Sequence, residues 1–126
     1  MPFAKLFGGD IYYEVNGQPI NTQSTPIVIL KPLSRGPVGV QPFINLLTTN
    51  FTVINYDQRG LGQSQSTLPP GPVPMNERAT EILELLDSLS INKVHLVCHS
   101  TGCGIGLSIA DMHPERISSI TLISPW

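Results

Sequence analysis

Lys93-Val94-His95-Leu96-Val97-Cys98-His99-Ser100-Thr101-Gly102-Cys103-Gly104 is the stretch that decides the fold. An apolar run rich in Val and Leu leads straight into Ser100, and small residues at helical spacing follow. The pattern predicts a buried strand, a sharp turn and the start of a helix. It matches G-x-S-x-G with Cys98 in the place of the first glycine. A serine at the tip of such a turn has a strained backbone and an exposed hydroxyl. Its neighbours two positions away on each side must be small, or their side chains collide. The helix start offers the Thr101 N–H, at the positive end of the dipole, to a developing oxyanion. Ser100 is thus the candidate nucleophile and Thr101 a candidate oxyanion donor, with Cys98 and Gly102 shaping the turn.

Outward from this turn the chain alternates between strand and helix patterns. Downstream, Gly102 and Gly106 share one helix face and permit close packing on a sheet. Ile117 to Ser124 predicts a last buried strand. Upstream, Ile82, Leu85, Leu86 and Leu89 form one apolar helical stripe, with Asn76 as candidate cap and Glu77, Glu81 and Glu84 as the wet face. Gln65 to Pro74 holds four prolines and a glycine and reads as a surface loop. Phe51 to Tyr56 is strand-like and runs into Asp57-Gln58-Arg59-Gly60-Leu61-Gly62-Gln63-Ser64. Phe43, Ile44, Leu46 and Leu47 have helical spacing. Pro26 to Leu30 is a continuous apolar run of the buried parallel-strand kind, followed by a loop from Lys31 to Gly39. Phe3 to Phe7 and Ile11 to Val15 flank Gly8-Gly9-Asp10 as a hairpin, closed by Asn16-Gly17 and Pro19. The expected class is α/β, a mostly parallel sheet with flanking helices. Ligands in such sheets bind beyond the carboxyl ends of the strands, where the Lys31 loop, the Asp57 loop and Ser100 all fall.

The totals exclude several classes of function. The 126 residues suffice for one domain with a core. A net charge of −2 and no basic block speak against nucleic acid as a partner. Charged residues make up only 13%, which suits strands buried on both faces, or part of a larger domain whose surface is covered. No apolar run approaches the roughly 18 residues of a membrane span, and Lys5 and Asp10 interrupt any leader-like segment. The expectation is a cytoplasmic protein without a membrane partner. Cys98 and Cys103 are expected as free, small core residues, because a disulfide there would distort the turn. Neither a metal-ligand spacing nor a cofactor motif is present, so no metal and no cofactor are expected.

Three features together resemble the first half of the α/β-hydrolase superfamily. Tyr56 to Ser64 is similar to the D-x-R-G-x-G-x-S loop of its proline-iminopeptidase-like and haloperoxidase-like members. Val97-Cys98-His99-Ser100-Thr101-Gly102 resembles the G-H-S-x-G elbow. His113-Pro114-Glu115-Arg116-Ile117 resembles the link from the elbow helix to the next strand. The resemblance implies an α/β-hydrolase fold and a serine hydrolase acting on a small-molecule ester, lactone or amide, with secondary-metabolite esters among the substrate classes it suggests. It implies Ser100 as nucleophile and Thr101 as one oxyanion donor. The second donor belongs to the loop where the family shows His-Gly. Here Lys31-Pro32 stands there, and because Pro32 has no N–H, Leu33 is the candidate donor.

The same resemblance places the acid and histidine of the triad beyond the residues quoted, in the order Ser, acid, His. Residues 1–126 are therefore expected as a partial hydrolase domain, the lid and triad partners being absent from it. Asp111, His113 and Glu115 lie on or after the elbow helix, with His113 roughly 20 Å along it, too far to act as base. His95 and His99 are expected to pack or cap. Losing the histidine of a serine triad costs about a millionfold in turnover, so the 126 residues alone are expected to show no useful hydrolysis. Asp57 and Arg59 are expected as a buried pair that pins the loop, and Lys31 as a solvated loop lysine rather than a holder of a substrate carboxylate. The alternative to an enzyme is an inactive, truncated homologue that binds a small acyl compound or pairs through an open sheet edge.

Overall fold

In the strand Ile27–Leu30 (β3) every side chain is buried, because helices cover the sheet on both sides. Side chains alternate along a strand. Ile27 and Ile29 therefore meet Ile44 of helix Gln41–Leu47 (α1), together with Val53. Val28 and Leu30 face the opposite way, into the larger core with helices Met75–Ser88 (α2) and Gly102–Met112 (α3). The computed structural model describes residues 3–21, 24–31, 41–60, 63–64 and 73–124.

The sheet has six strands in the order β1-β2-β4-β3-β5-β6. β1 (Phe3–Leu6) and β2 (Gly9–Gly17) form the expected hairpin, and β2 runs antiparallel to β4 (Thr52–Tyr56). β4, β3, β5 (Val94–His99) and β6 (Ile117–Ile123) are parallel, so their carboxyl ends share one edge. A short 3₁₀ turn, Pro114–Arg116, links α3 to β6. Arg116 locks this link to the end of α2 through the Asn92 and Ile91 carbonyls and the Asp87 carboxylate.

Three sequence expectations are corrected. α2 begins at Met75 with Pro74 as its N-cap, so Asn76 lies inside the first turn and does not cap it. Pro74 at φ −60 is already set for helix entry. Glu81 is buried rather than wet, and accepts the Arg59 N–H at 3.0 Å. Its neighbour Glu84 accepts the Phe7 N–H at 3.2 Å. The acidic series therefore clamps the hairpin and the loop after β4 onto α2. Third, β6 is not a buried strand: Ile117 and Ile120 are half-buried and its other residues are exposed. It pairs with β5, and no second strand neighbour covers it among the described residues.

Candidate active site

β5 ends at His99 and α3 starts at Gly102, which leaves Ser100 and Thr101 to make the turn. Ser100 adopts φ +54, the left-handed region that costs a non-glycine residue about 1 kcal/mol or more. Two backbone bonds hold it there. The Ser100 N–H donates to the Ile123 carbonyl at 3.0 Å, and the Cys103 N–H donates to the Ser100 carbonyl at 3.0 Å. Ser100 is half-buried, at the carboxyl edge of the sheet. Thr101 follows at φ −64 as the N-cap of α3.

The small residues around this turn have identifiable causes. A Cβ on Gly102 would run into the Leu30 carbonyl and come within 3.0 Å of the Lys31 carbonyl oxygen. The end of β3 thus dictates glycine at that position. A Cβ on Gly106 would collide with the Cys98 sulfur. Cys98 stands where a glycine was expected, and its side chain is accommodated because α3 presents a glycine opposite it. Burial, with a further contribution from neighbouring Cys103, pushes the Cys98 thiol up to about 12, so at neutral pH it is an uncharged core group. Cys103 is buried beside it, its sulfur 3.5 Å from the Cys98 carbonyl oxygen, and both cysteines are free.

Asp57 and Arg59 do not pair. Asp57 is buried, with Oδ1 3.2 Å from the Lys31 ammonium and Oδ2 accepting the Gln63 N–H at 3.0 Å. Arg59 instead reaches the first turn of α2, 3.5 Å from Glu77. The reason is the strand order: β3 lies next to β4, so the residue just past β3 meets the carboxylate just past β4. Lys31 is likewise not solvated, being 2% exposed. Burial lowers its pKa, and the Asp57 carboxylate opposes that shift. An ammonium buried without its partner would cost about 3–5 kcal/mol, so Lys31 is engaged internally and is not offered to a substrate carboxylate.

Among the described residues, no hydrogen bond joins the Ser100 hydroxyl to a histidine. His95 Nδ1 lies 2.7 Å from the Ser119 hydroxyl, His113 Nδ1 lies 2.9 Å from Glu115 at the far end of α3, and His99 is half-buried at the end of β5. Leu33, the candidate second oxyanion donor, and Pro32 lie outside the described residues. No group of three or more metal-ligating side chains occurs among the described residues. Sequence reasoning missed Ser64, whose hydroxyl accepts the Tyr12 N–H at 2.9 Å and donates to the Asp57 carbonyl. Its place at the end of the D-x-R-G-x-G-x-S pattern was the available signal.

A family model described as the alpha/beta hydrolase fold matches residues 33–126. The chain belongs to that family. Among its relatives, a protein of Caulobacter segnis named carbamate hydrolase RutD is 32% identical over 116 residues, which is 92% of this chain and 43% of that protein. A RutD-named protein of Pantoea ananatis is 35% identical over 116 residues, covering 92% of this chain and 42% of its own length. Among α/β-hydrolase structures, the enol-lactonase from Burkholderia xenovorans LB400 superposes with a TM-score of 0.83 at 28% identity, covering 94% of this chain and 45% of that one. An N-acyl homoserine lactone degrading enzyme gives a TM-score of 0.81 at 28% identity, covering 98% and 45%. The chain thus spans less than half the length of the hydrolase relatives it matches. No helix among its described residues is long and apolar enough to cross a membrane.

Proposed function

We propose that this protein is a serine-nucleophile hydrolase acting on an ester, lactone or amide of a small molecule, and that residues 1–126 form the N-terminal part of an α/β-hydrolase domain. Ser100 attacks the carbonyl carbon, the carbon–heteroatom bond of the leaving group breaks, and water releases the acyl group from the serine. The Thr101 N–H at the start of α3 steadies the oxyanion, with Leu33 as the second donor. The observation that carries this is the left-handed Ser100 at φ +54 between β5 and α3. Ser90 and Ser124 also have positive φ, but among the described residues only Ser100 does so between the carboxyl end of a strand and the start of a helix. The general base and its acid partner come from outside residues 1–126: among the described residues His95 and His113 are engaged elsewhere, and no hydrogen bond joins His99 to the Ser100 hydroxyl. Relatives named for a carbamate and for lactones point to the same substrate chemistry, an acyl carbon carrying an oxygen or nitrogen leaving group.

The test is made on the native protein isolated from its source. Its intact mass is expected to exceed 13.7 kDa. It should hydrolyse an activated ester, and Ser100→Ala should abolish that hydrolysis. Hydrolysis that survives Ser100→Ala would remove Ser100 from the chemistry. A second reading, a non-catalytic binding or pairing module, is favoured by β6, which among the described residues bonds to β5 alone and exposes Leu122 and Ile123. It predicts no hydrolysis by the native protein and a stable complex on size-exclusion chromatography.

A further inference from the structure

The parallel strands β4, β3 and β5 are neighbours, and at their carboxyl ends stand Asp57, Lys31 and Ser100 in that order. We propose that Lys31 is a positioning residue for the Ser100 turn: pinned to Asp57, it fixes the backbone at the end of β3 on which Gly102 rests. This rests on Ser100 being the nucleophile.

Asp57 is anchored on every side. Its N–H donates to the Tyr12 carbonyl at 3.0 Å and its carbonyl accepts the Ser64 hydroxyl. Its two carboxylate oxygens take the Lys31 ammonium and the Gln63 N–H. Lys31 is thereby tied to β2 and β4 through a fixed carboxylate. On its other side, the Leu30 and Lys31 carbonyls occupy the space that the absent Gly102 side chain leaves. Gly102 is two residues beyond Ser100, and no side chain separates the turn from β3 at this point. A shift of the β3 end therefore passes directly to the turn. Packing alone would be served by an apolar side chain, since a buried ion pair is often no more stabilising than a hydrophobic replacement of its size. What the pair supplies is direction: a charged bond holds the Lys31 stem toward β4 and away from the serine. Burial lowers the Lys31 pKa while Asp57 opposes that shift, consistent with an ammonium retained by its partner.

The test uses the complete protein as its gene encodes it. Lys31→Met with Asp57→Asn removes both charges together, so no unpaired ion is left buried. The expected outcome is a kcat about 10- to 100-fold lower with KM and Tm close to the parent, and faster amide hydrogen exchange over residues 101–104. Lys31→Arg, which can still pair, is expected to restore most of kcat. Parent kcat and parent exchange in the double variant would overturn the proposal, as would Lys31→Arg being as slow as the double variant. If the double variant does not fold, Lys31→Leu with Asp57→Leu, which leaves neither an ion nor an unpaired amide buried, decides by the same two readouts. Loss of the nucleophile assignment would show separately, as hydrolysis surviving Ser100→Ala. The exchange measurement would then decide the positioning role alone.

Discussion

β3 and β6 are both strands of the parallel part of the sheet, and they are buried to very different degrees. Each of the four residues of β3 is buried, whereas most of β6 is exposed. Composition accounts for part of this, since Ser118, Ser119 and Thr121 interrupt β6 and no polar residue interrupts β3; neighbours account for the exposure of Leu122 and Ile123. β3 sits between β4 and β5 and has α1 on one face and α2 and α3 on the other. β6 is bonded to β5 alone among the described residues, and of its side chains Ile117 and Ile120 pack against the core. Apolar content makes a strand; flanking strands and two covered faces make it interior. The candidate site lies where the buried strands β3 and β5 end, which is why its backbone can be held in a strained conformation.

The largest expected effect contrasts the two regions directly. Leu96, fully buried in β5, should cost about 3–4 kcal/mol on truncation to Ala. Leu122, 37% exposed in β6, should cost less than about 1 kcal/mol in the same 126 residues. Urea unfolding of both variants checks this, and equal losses would break the comparison. Next comes Gly102→Ala, whose new methyl meets backbone carbonyls that cannot move aside; about 3 kcal/mol is expected.

A smaller effect sharpens the account of Cys98. Gly106→Ala should cost about 2 kcal/mol against the Cys98 sulfur, and Cys98→Gly in the same chain should recover much of it. Additive losses in that double-mutant cycle would mean that the two positions do not share one space. Gly104→Ala, by contrast, meets only the Met75 side chain at 3.5 Å, an ordinary contact. It should stabilise by about 0.5–1 kcal/mol through helix propensity, read as a higher urea midpoint.

The smallest effect is a pH dependence. Burial raises the Glu81 pKa, partly opposed by the Arg59 N–H and the charges of Arg59 and Arg78. A folded pKa above the unfolded value means that the folded state holds the proton more tightly. The stability from this group is therefore complete below its unfolded pKa and is lost as pH rises through the folded value. Glu81→Gln should remove that decline, measured as the difference between parent and variant urea midpoints across the range just above pH 4.5.

Much of the architecture was legible because it depends on patterns only a few residues long. The run Ile27 to Leu30, the apolar stripe of α2 and the small residues after Ser100 each carry their own period or punctuation. The shared face of Gly102 and Gly106 was also legible, since 3.6-residue geometry puts them together whatever they pack on. What escaped was the choice of charged partner. Asp57 and Arg59 stand two residues apart and invited pairing, yet Asp57 took Lys31 and Arg59 took Glu77. Glu81 matched Glu77 and Glu84 in spacing, and only the loop folded over it made it buried. The Asn76 cap failed for a local reason, since Pro74 began the helix earlier.

The sequence by itself determined the strands and helices, the family and the serine at the turn, because backbone preference and apolar period act over one element at a time. Tertiary structure alone decided that Lys31 is buried against Asp57, that Cys98 fits opposite Gly106, and that Leu122 and Ile123 of β6 are exposed among the described residues. Those outcomes depend on which strand lies beside which. A buried charge or an added side chain is tolerated only when a residue distant in sequence supplies the partner or the space.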